Sequence, residues 1–231
     1  TITLYVRKAD PNIIISNIVT RTYGDLDFDL TATSSSTGIF SYVALNSAVA
    51  SISSNTVSIA GAGTSTIIVS QASDGFYNAG STSLTLIVYK ADPIIHFPDV
   101  TKTFGDPDFP ISATSSSTGD FAYSIDDLRI ASPVSSIGNS TSTINVISSR
   151  GSLSRSSILS LFISISKAGS TTITAIQAED SNYKSATATA TLTIIKKDLD
   201  SSVWYPTSTI TRTFGIPPFE IVLPNVDSNY N

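Results

Sequence analysis

Apolar and polar residues alternate with a period of two along much of this chain. Thr82-Ser83-Leu84-Thr85-Leu86-Ile87-Val88-Tyr89 alternates for most of its length, as a strand with one face in a core does. Residues 187–195 do the same, and Phe40-Ser41-Tyr42, Val57-Ser58-Ile59 and residues 66–70 form shorter runs. Gly, Asn, Asp and Ser interrupt these runs every ~8–12 residues, the punctuation of short antiparallel strands. No window carries a long helical period. The pattern predicts an all-β chain.

The alternation also repeats itself. Thr103-Phe104-Gly105-Asp106-Pro107-Asp108-Phe109 restates Thr22-Tyr23-Gly24-Asp25-Leu26-Asp27-Phe28, and Ala113-Thr114-Ser115-Ser116-Ser117-Thr118-Gly119 restates Ala32-Thr33-Ser34-Ser35-Ser36-Thr37-Gly38, both at an offset of 81. Such a period marks a tandem array of small domains. Gln177-Ala178-Glu179-Asp180 restates Gln71-Ala72-Ser73-Asp74 at an offset of 106, so the second copy carries 25 extra residues. About seven short strands in ~80–100 residues is the size of an immunoglobulin-like sandwich. The expected organisation has four parts: residues 1–9 as the last strand of a preceding or neighbouring repeat, 10–91 as the first repeat, 92–197 as the second with a hairpin insertion near 134–162, and 198–231 as an incomplete third. Lys8-Ala9-Asp10-Pro11 and Lys90-Ala91-Asp92-Pro93 join copies without a flexible linker. Pro fixes its own φ and extends the preceding Asp, so the tandem sandwiches are expected to form a rod.

Composition narrows the function. Charged residues make up 13% of the chain, the net charge is −5, and about 30% is Ser plus Thr. Nothing forms the basic face that nucleic acid requires, and no apolar run is long enough for membrane insertion. Cysteine is absent, so neither disulfides nor thiol chemistry is available. Methionine is absent too, even at position 1, which suggests a processed product or a segment of something longer.

The Lys-Ala-Asp-Pro joints, Tyr23-Gly24-Asp25, Phe104-Gly105-Asp106 and the closing Asp180-Ser181-Asn182-Tyr183 resemble the MBG type of bacterial Ig-like repeat, the Tyr-Gly-x variety. The resemblance covers residues 8–198 and the fragment after them. It implies a module of large secreted surface proteins, a stalk or adhesive element, located outside the cell, on a cell surface or on a virion surface.

Candidate chemistry is sparse. His96 is the only histidine, and copy one has Ile14 in its place; that interchange predicts a partly buried strand residue rather than a catalytic base. Asp25/Asp27 and Asp106/Asp108 could each offer a pair of carboxylates to Ca²⁺. Copy three has Ile216 and Pro218 there, which a turn tolerates and a required metal site does not, so these Asp residues, with Gly24, Gly105 and Gly215, are read as structural turns. Asp74 and Asp180 are read the same way, and no metal or cofactor is favoured. The aromatic beside each glycine is expected to plug one end of its sandwich.

The insertion is the least structural part. Ser142-Thr143-Ile144-Asn145-Val146 and residues 159–165 both alternate, which predicts a long β-hairpin with a basic, Ser-rich tip. Arg150, Ser152 and Arg155 at that tip are candidate contacts for an acidic partner or an anionic glycan. Asn139-Ser140-Thr141 is a glycosylation sequon. The expected partners are other copies of the chain or neighbouring domains, through strand complementation between residues 1–9 and an incomplete last domain, with a glycan or surface protein as a further ligand. The expected function is non-catalytic: a stalk or filament at a surface. The alternatives are a virion component (fibre, tail or capsid decoration) and a carbohydrate-binding module, although Phe121, Tyr123 and Trp204 are too scattered for a sugar platform.

Overall fold

The computed structural model describes residues 2–16, 18–134 and 161–198. Every regular element in them is a strand. In the first copy these are β1 (Ile18–Thr22), β2 (Phe28–Asp29), β3 (Phe40–Ala44), β4 (Ala50–Ser53), β5 (Thr56–Ile59), β6 (Gly63–Gln71) and β7 (Gly80–Tyr89). They form a four-stranded sheet, β1-β7-β6-β3, and a three-stranded sheet, β2-β5-β4. The long antiparallel pair β6/β7 runs in register from Gly63↔Val88 to Gln71↔Gly80, and β1 joins β7 in parallel.

The second copy repeats this plan. Its strands are β8 (Ile95–His96), β9 (Val100–Thr103), β10 (Phe109–Ile111), β11 (Thr114–Ser115), β12 (Phe121–Ile125), β13 (Ala131–Val134), β14 (Leu161–Ile165), β15 (Gly169–Gln177) and β16 (Ala186–Ile195). The sheets are β12-β15-β16-β9 and β10-β14-β13, with β8 and β11 as a small extra pair. The first copy has only the bridge Ile14↔Thr33 where β8 meets β11.

Two cores follow from the alternation. Leu30, Val49, Ala50, Val57, Ile67, Val69, Leu84, Leu86 and Val88 meet between the sheets of the first copy. The second core gathers Phe109, Ile111, Tyr123, Ile125, Ile163, Ile173, Leu192 and Ile194, among others. Tyr23 and Phe104, the aromatics beside Gly24 and Gly105, pack against their respective cores. Two facing sheets with this strand order, four against three, make each copy an immunoglobulin-like β-sandwich.

By contacts the chain divides into two units. Unit 1 holds Thr1–Ile94 together with Ser116–Gly119 and Ala178–Ala186; unit 2 holds Ile95–Ser115, Asp120–Gln177 and Thr187–Asn231. Two turn segments of the second copy therefore group with the first.

Two expectations change, for residues 159–165 and for His96. The alternation of residues 159–165 predicts an arm of a hairpin in the insertion, but β14 is a sandwich strand: Ile163 is fully buried, and β14 pairs with β13 (Pro133↔Ile163) and with β10 (Phe109↔Ile163). The insertion interrupts the β13–β14 connection. The first copy closes the same connection, β4 to β5, with Ser54-Asn55, where Ser54 takes a φ of 57°. Ile2, Leu4, Tyr5 and Val6 are 83–99% exposed and join no sheet among the described residues. His96 pairs with Thr114 but its side chain is exposed, not partly buried.

Candidate functional site

Gly24 and Gly105 adopt φ of 89° and 92°, a region open to glycine at little cost. The reversal lets the Asp25 carboxylate accept the Thr22 N–H at 2.8 Å, and Asp106 accept that of Thr103 at 2.9 Å. Asp27 turns elsewhere and accepts the Ser58 hydroxyl at 2.7 Å across the β2/β5 ladder. Asp25 and Asp27 thus serve different partners. Asp108 is exposed. Among the described residues no three His, Asp or Glu side chains gather where a metal would sit. Asp10 accepts the Asn78 side-chain amide at 2.8 Å, and Asp92 pairs with Lys184 at 3.0 Å.

Asp74 and Asp180 are more deeply engaged. One oxygen of Asp74 accepts the Ser36 hydroxyl (2.9 Å), the Thr37 N–H (2.8 Å) and the Thr37 hydroxyl (2.9 Å). The other accepts the N–H groups of Phe76 (2.7 Å) and Tyr77 (2.8 Å). Asp180 repeats the set with Ser117, Thr118, Asn182 and Tyr183. A carboxylate has about four lone-pair sites, so five donors leave no vacancy for a cation.

The N–H groups of Thr37 and Phe76 hold the Asp74 carboxyl well below the usual range, against a smaller opposing effect of burial; Tyr77 and Ser36 add to the lowering. Burial raises Asp180, but the N–H groups of Asn182, Thr118 and Tyr183 and the Ser117 hydroxyl outweigh it and bring it equally low. Hydrogen bonds to the charged form are the cause in both.

These clamps explain a sequence feature first read only as a repeat marker. Ser36-Thr37-Gly38 and Ser117-Thr118-Gly119 are the other halves of the clamps. Gly38 lies so close to the Ala72 carbonyl, and Gly119 to that of Ala178, that a Cβ at either would overlap it. Gln71, 2% exposed, braces the same loop by donating to the carbonyls of Ser36 (3.1 Å) and Gly38 (2.8 Å).

The clamped turns in turn hold the joints, and all the groups involved belong to unit 1. Next to Asp74, the Ala9 N–H donates to the Phe76 carbonyl, and the Asn78 N–H to that of Ala9. Next to Asp180, the Ala91 N–H donates to the Asn182 carbonyl, and the Lys184 N–H to that of Ala91. Lys90 pairs with Glu179 at 3.1 Å. The Asn182 Oδ1 accepts the Ala62 N–H at 2.9 Å, and Tyr183 meets Tyr23 edge to face at 5.4 Å.

No family model matches the chain, and no curated protein does. Solved structures of similar outline exist. Titin domains Z1Z2 in complex with telethonin are 14% identical at a TM-score of 0.35, covering 82% of this chain and 98% of that one. Drosophila N-cadherin EC1-4 is 16% identical at 0.33, over 81% of this chain and 50% of that one. The S-layer protein rSbsC is 15% identical at 0.30, over 80% and 28%. The matched region therefore spans half of the cadherin fragment and under a third of the S-layer protein.

Arg150, Ser152, Arg155, Gly215, Asn139 and Trp204 lie outside the described residues. Tyr123 is 2% exposed and stacks on Phe121 at 6.1 Å, inside the core rather than on a sugar-facing surface. No helix among the described residues is long and apolar enough to cross a membrane.

The clamps set an expected pH dependence. An unfolded Asp titrates near 3.9, and both clamped groups titrate far lower. Their stabilisation is therefore complete above the unfolded value and is lost as pH falls through about 4 toward the folded one, because only the unfolded chain then takes up the protons. Urea midpoints should stay flat from pH 7 to 5 and fall steeply below 4. The Asp74→Asn/Asp180→Asn chain should start lower and show a shallower acid limb. Equal acid limbs in the two proteins would contradict this.

Asn182→Ala removes one acceptor and should cost about 1 kcal/mol, seen as faster hydrogen exchange at the Ala62 amide.

Proposed function

We propose that this chain is a non-catalytic structural and adhesive repeat protein of the MBG type, serving as a stalk or filament module at a cell or particle surface. The observation that supports this most is the joint: in both copies a five-donor carboxylate clamp fixes the Asp-x-x-Tyr turn, and that turn hydrogen-bonds the Lys-Ala-Asp segment entering the sandwich. Such wiring ties each entering segment to a turn of the same unit and engages the Asp74 and Asp180 carboxylates in structural bonds. The hydroxyl-rich, weakly charged composition suits an exposed module.

The test is immunogold labelling of intact source cells or particles with antibody raised against the chain. Surface label that protease removes without lysis is expected. Label that appears only after lysis would refute surface display.

A further inference from the structure

β3 ends the four-stranded sheet of the first copy, and β12 holds the same place in the second. The two outer strands differ in chemistry. Along β3 and its flanks the exposed side chains include Ile39 (83%), Val43 (55%) and Leu45 (62%). At an offset of 81, the second copy has Asp120, Ser124 and Asp126. Open sheet edges invite pairing with other chains, and charges at the edge discourage it. The second copy carries that protection; from Ile39 to Leu45 the first has no charged residue.

The backbone on this edge is also available. Leu45 N–H donates to Thr66 and Ala72 N–H donates to Ile39, both toward β6. Bonding alternates along an antiparallel ladder, so the N–H and C=O groups of Phe40, Tyr42 and Ala44 face the open side.

We propose that this edge is a self-association surface, on which β3 pairs antiparallel with β3 of a second copy about a two-fold axis at Tyr42. In that register Tyr42 lies opposite the partner's Tyr42, and Phe40 opposite the partner's Ala44, as hydrogen-bonded pairs. Ile39 meets the partner's Leu45, and Ser41 meets the partner's Val43, on the outward face. The surface is self-complementary, as an isologous interface must be, and the mode is strand addition. The same register at β12 would set Asp120 against Asp126, a like-charge pair that opposes association. The asymmetry between copies selects the first. The inference goes beyond the stalk reading and stands independently of where the protein is displayed.

Sedimentation equilibrium on the full chain tests it. The unmodified chain should form dimers. Val43→Lys should weaken dimerisation about tenfold or more, because each charge enters the paired strands, while Ser124→Lys at the matching site should leave it unchanged. Register is read separately. The chain has no cysteine, so Ser41→Cys and Val43→Cys chains carry one reporter each. Non-hydrogen-bonded partners have Cα atoms about 4.5 Å apart, within the ~4.4–6.8 Å that a disulfide spans. Mixed under oxidation, the two variants should cross-link to each other more than either does to itself. A chain that stays monomeric up to about 1 mM, the weak end of specific association, would overturn the proposal. So would a Val43→Lys chain that dimerises like the parent, equal loss in Ser124→Lys, or preferential cross-linking of Ser41→Cys to itself. The Val43 side chain points to solvent, and an unchanged circular dichroism spectrum would show that Val43→Lys folds.

Discussion

Replacing Gly119 with alanine should strongly destabilise the second copy, and Gly38→Ala should do the same to the first. Neither glycine has an unusual φ; the constraint is space. A methyl group at Gly119 would overlap the carbonyl of Ala178, which is backbone and cannot swing aside like a long side chain. Relief requires the loop to move away from β15, and the loop carries the Ser117 and Thr118 donors to Asp180. One methyl group therefore adds a steric clash and opens the clamp as well. We expect a loss of roughly 3 kcal/mol or more, the upper part of the overpacking range. For a sandwich of this size that lowers the midpoint by about 12 °C or more. Gly24→Ala is the contrasting control: nothing lies near its missing Cβ, so only the strain of positive φ is felt, roughly 1 kcal/mol. Calorimetry on the three variants checks the order. A Gly119→Ala chain that melts with Gly24→Ala would show that the loop can move freely.

Truncating Tyr123 should be comparably severe. It is 2% exposed in the centre of the second core, with Phe97 at 5.8 Å and Phe121 at 6.1 Å. Its hydroxyl accepts the Ala113 N–H at 2.9 Å. Tyr123→Ala leaves a ring-sized cavity, worth roughly 3–5 kcal/mol for a large aromatic. Tyr123→Phe keeps the packing and removes only the acceptor. It leaves a buried N–H unsatisfied, which costs about 1–3 kcal/mol. Burial also pushes the Tyr123 phenol pKa up, partly opposed by the Ala113 N–H. The difference between the two variants in urea unfolding separates the ring from the hydrogen bond. If Tyr123→Phe is neutral, Ala113 has found another partner and that part of the account fails.

Strand identity was legible in the sequence wherever alternation was long. β7 and β16 cover the two runs read as half-buried strands, and β3, β5 and β6 fall on the three short ones. The reason is local: an extended chain puts alternate side chains on opposite faces, and the buried face must be apolar. The Gly24 and Gly105 turns were visible for a similar reason, since a glycine beside a short carboxylate suits a reversal within four residues.

Partnership was not legible, because alternation says which face of a strand is buried and not which strand lies beside it. Residues 161–165 alternate whether they pair within the insertion or, as they do, with β10 and β13. Ser36-Thr37-Gly38 and Asp74 are 36–38 residues apart, so nothing in either segment announces the other. Their joint role exists only when the fold brings five donors to one carboxylate. The exposure of His96 and the open, uncharged edge of β3 are likewise properties of strand position within a sheet. The sequence by itself determined the all-β class, the repeat and the local turns, which depend on neighbours along the chain. The tertiary structure alone decided which acidic residues lock loops, which glycines have no room for a side chain and which strand edge stays open, since each depends on groups that only folding brings together.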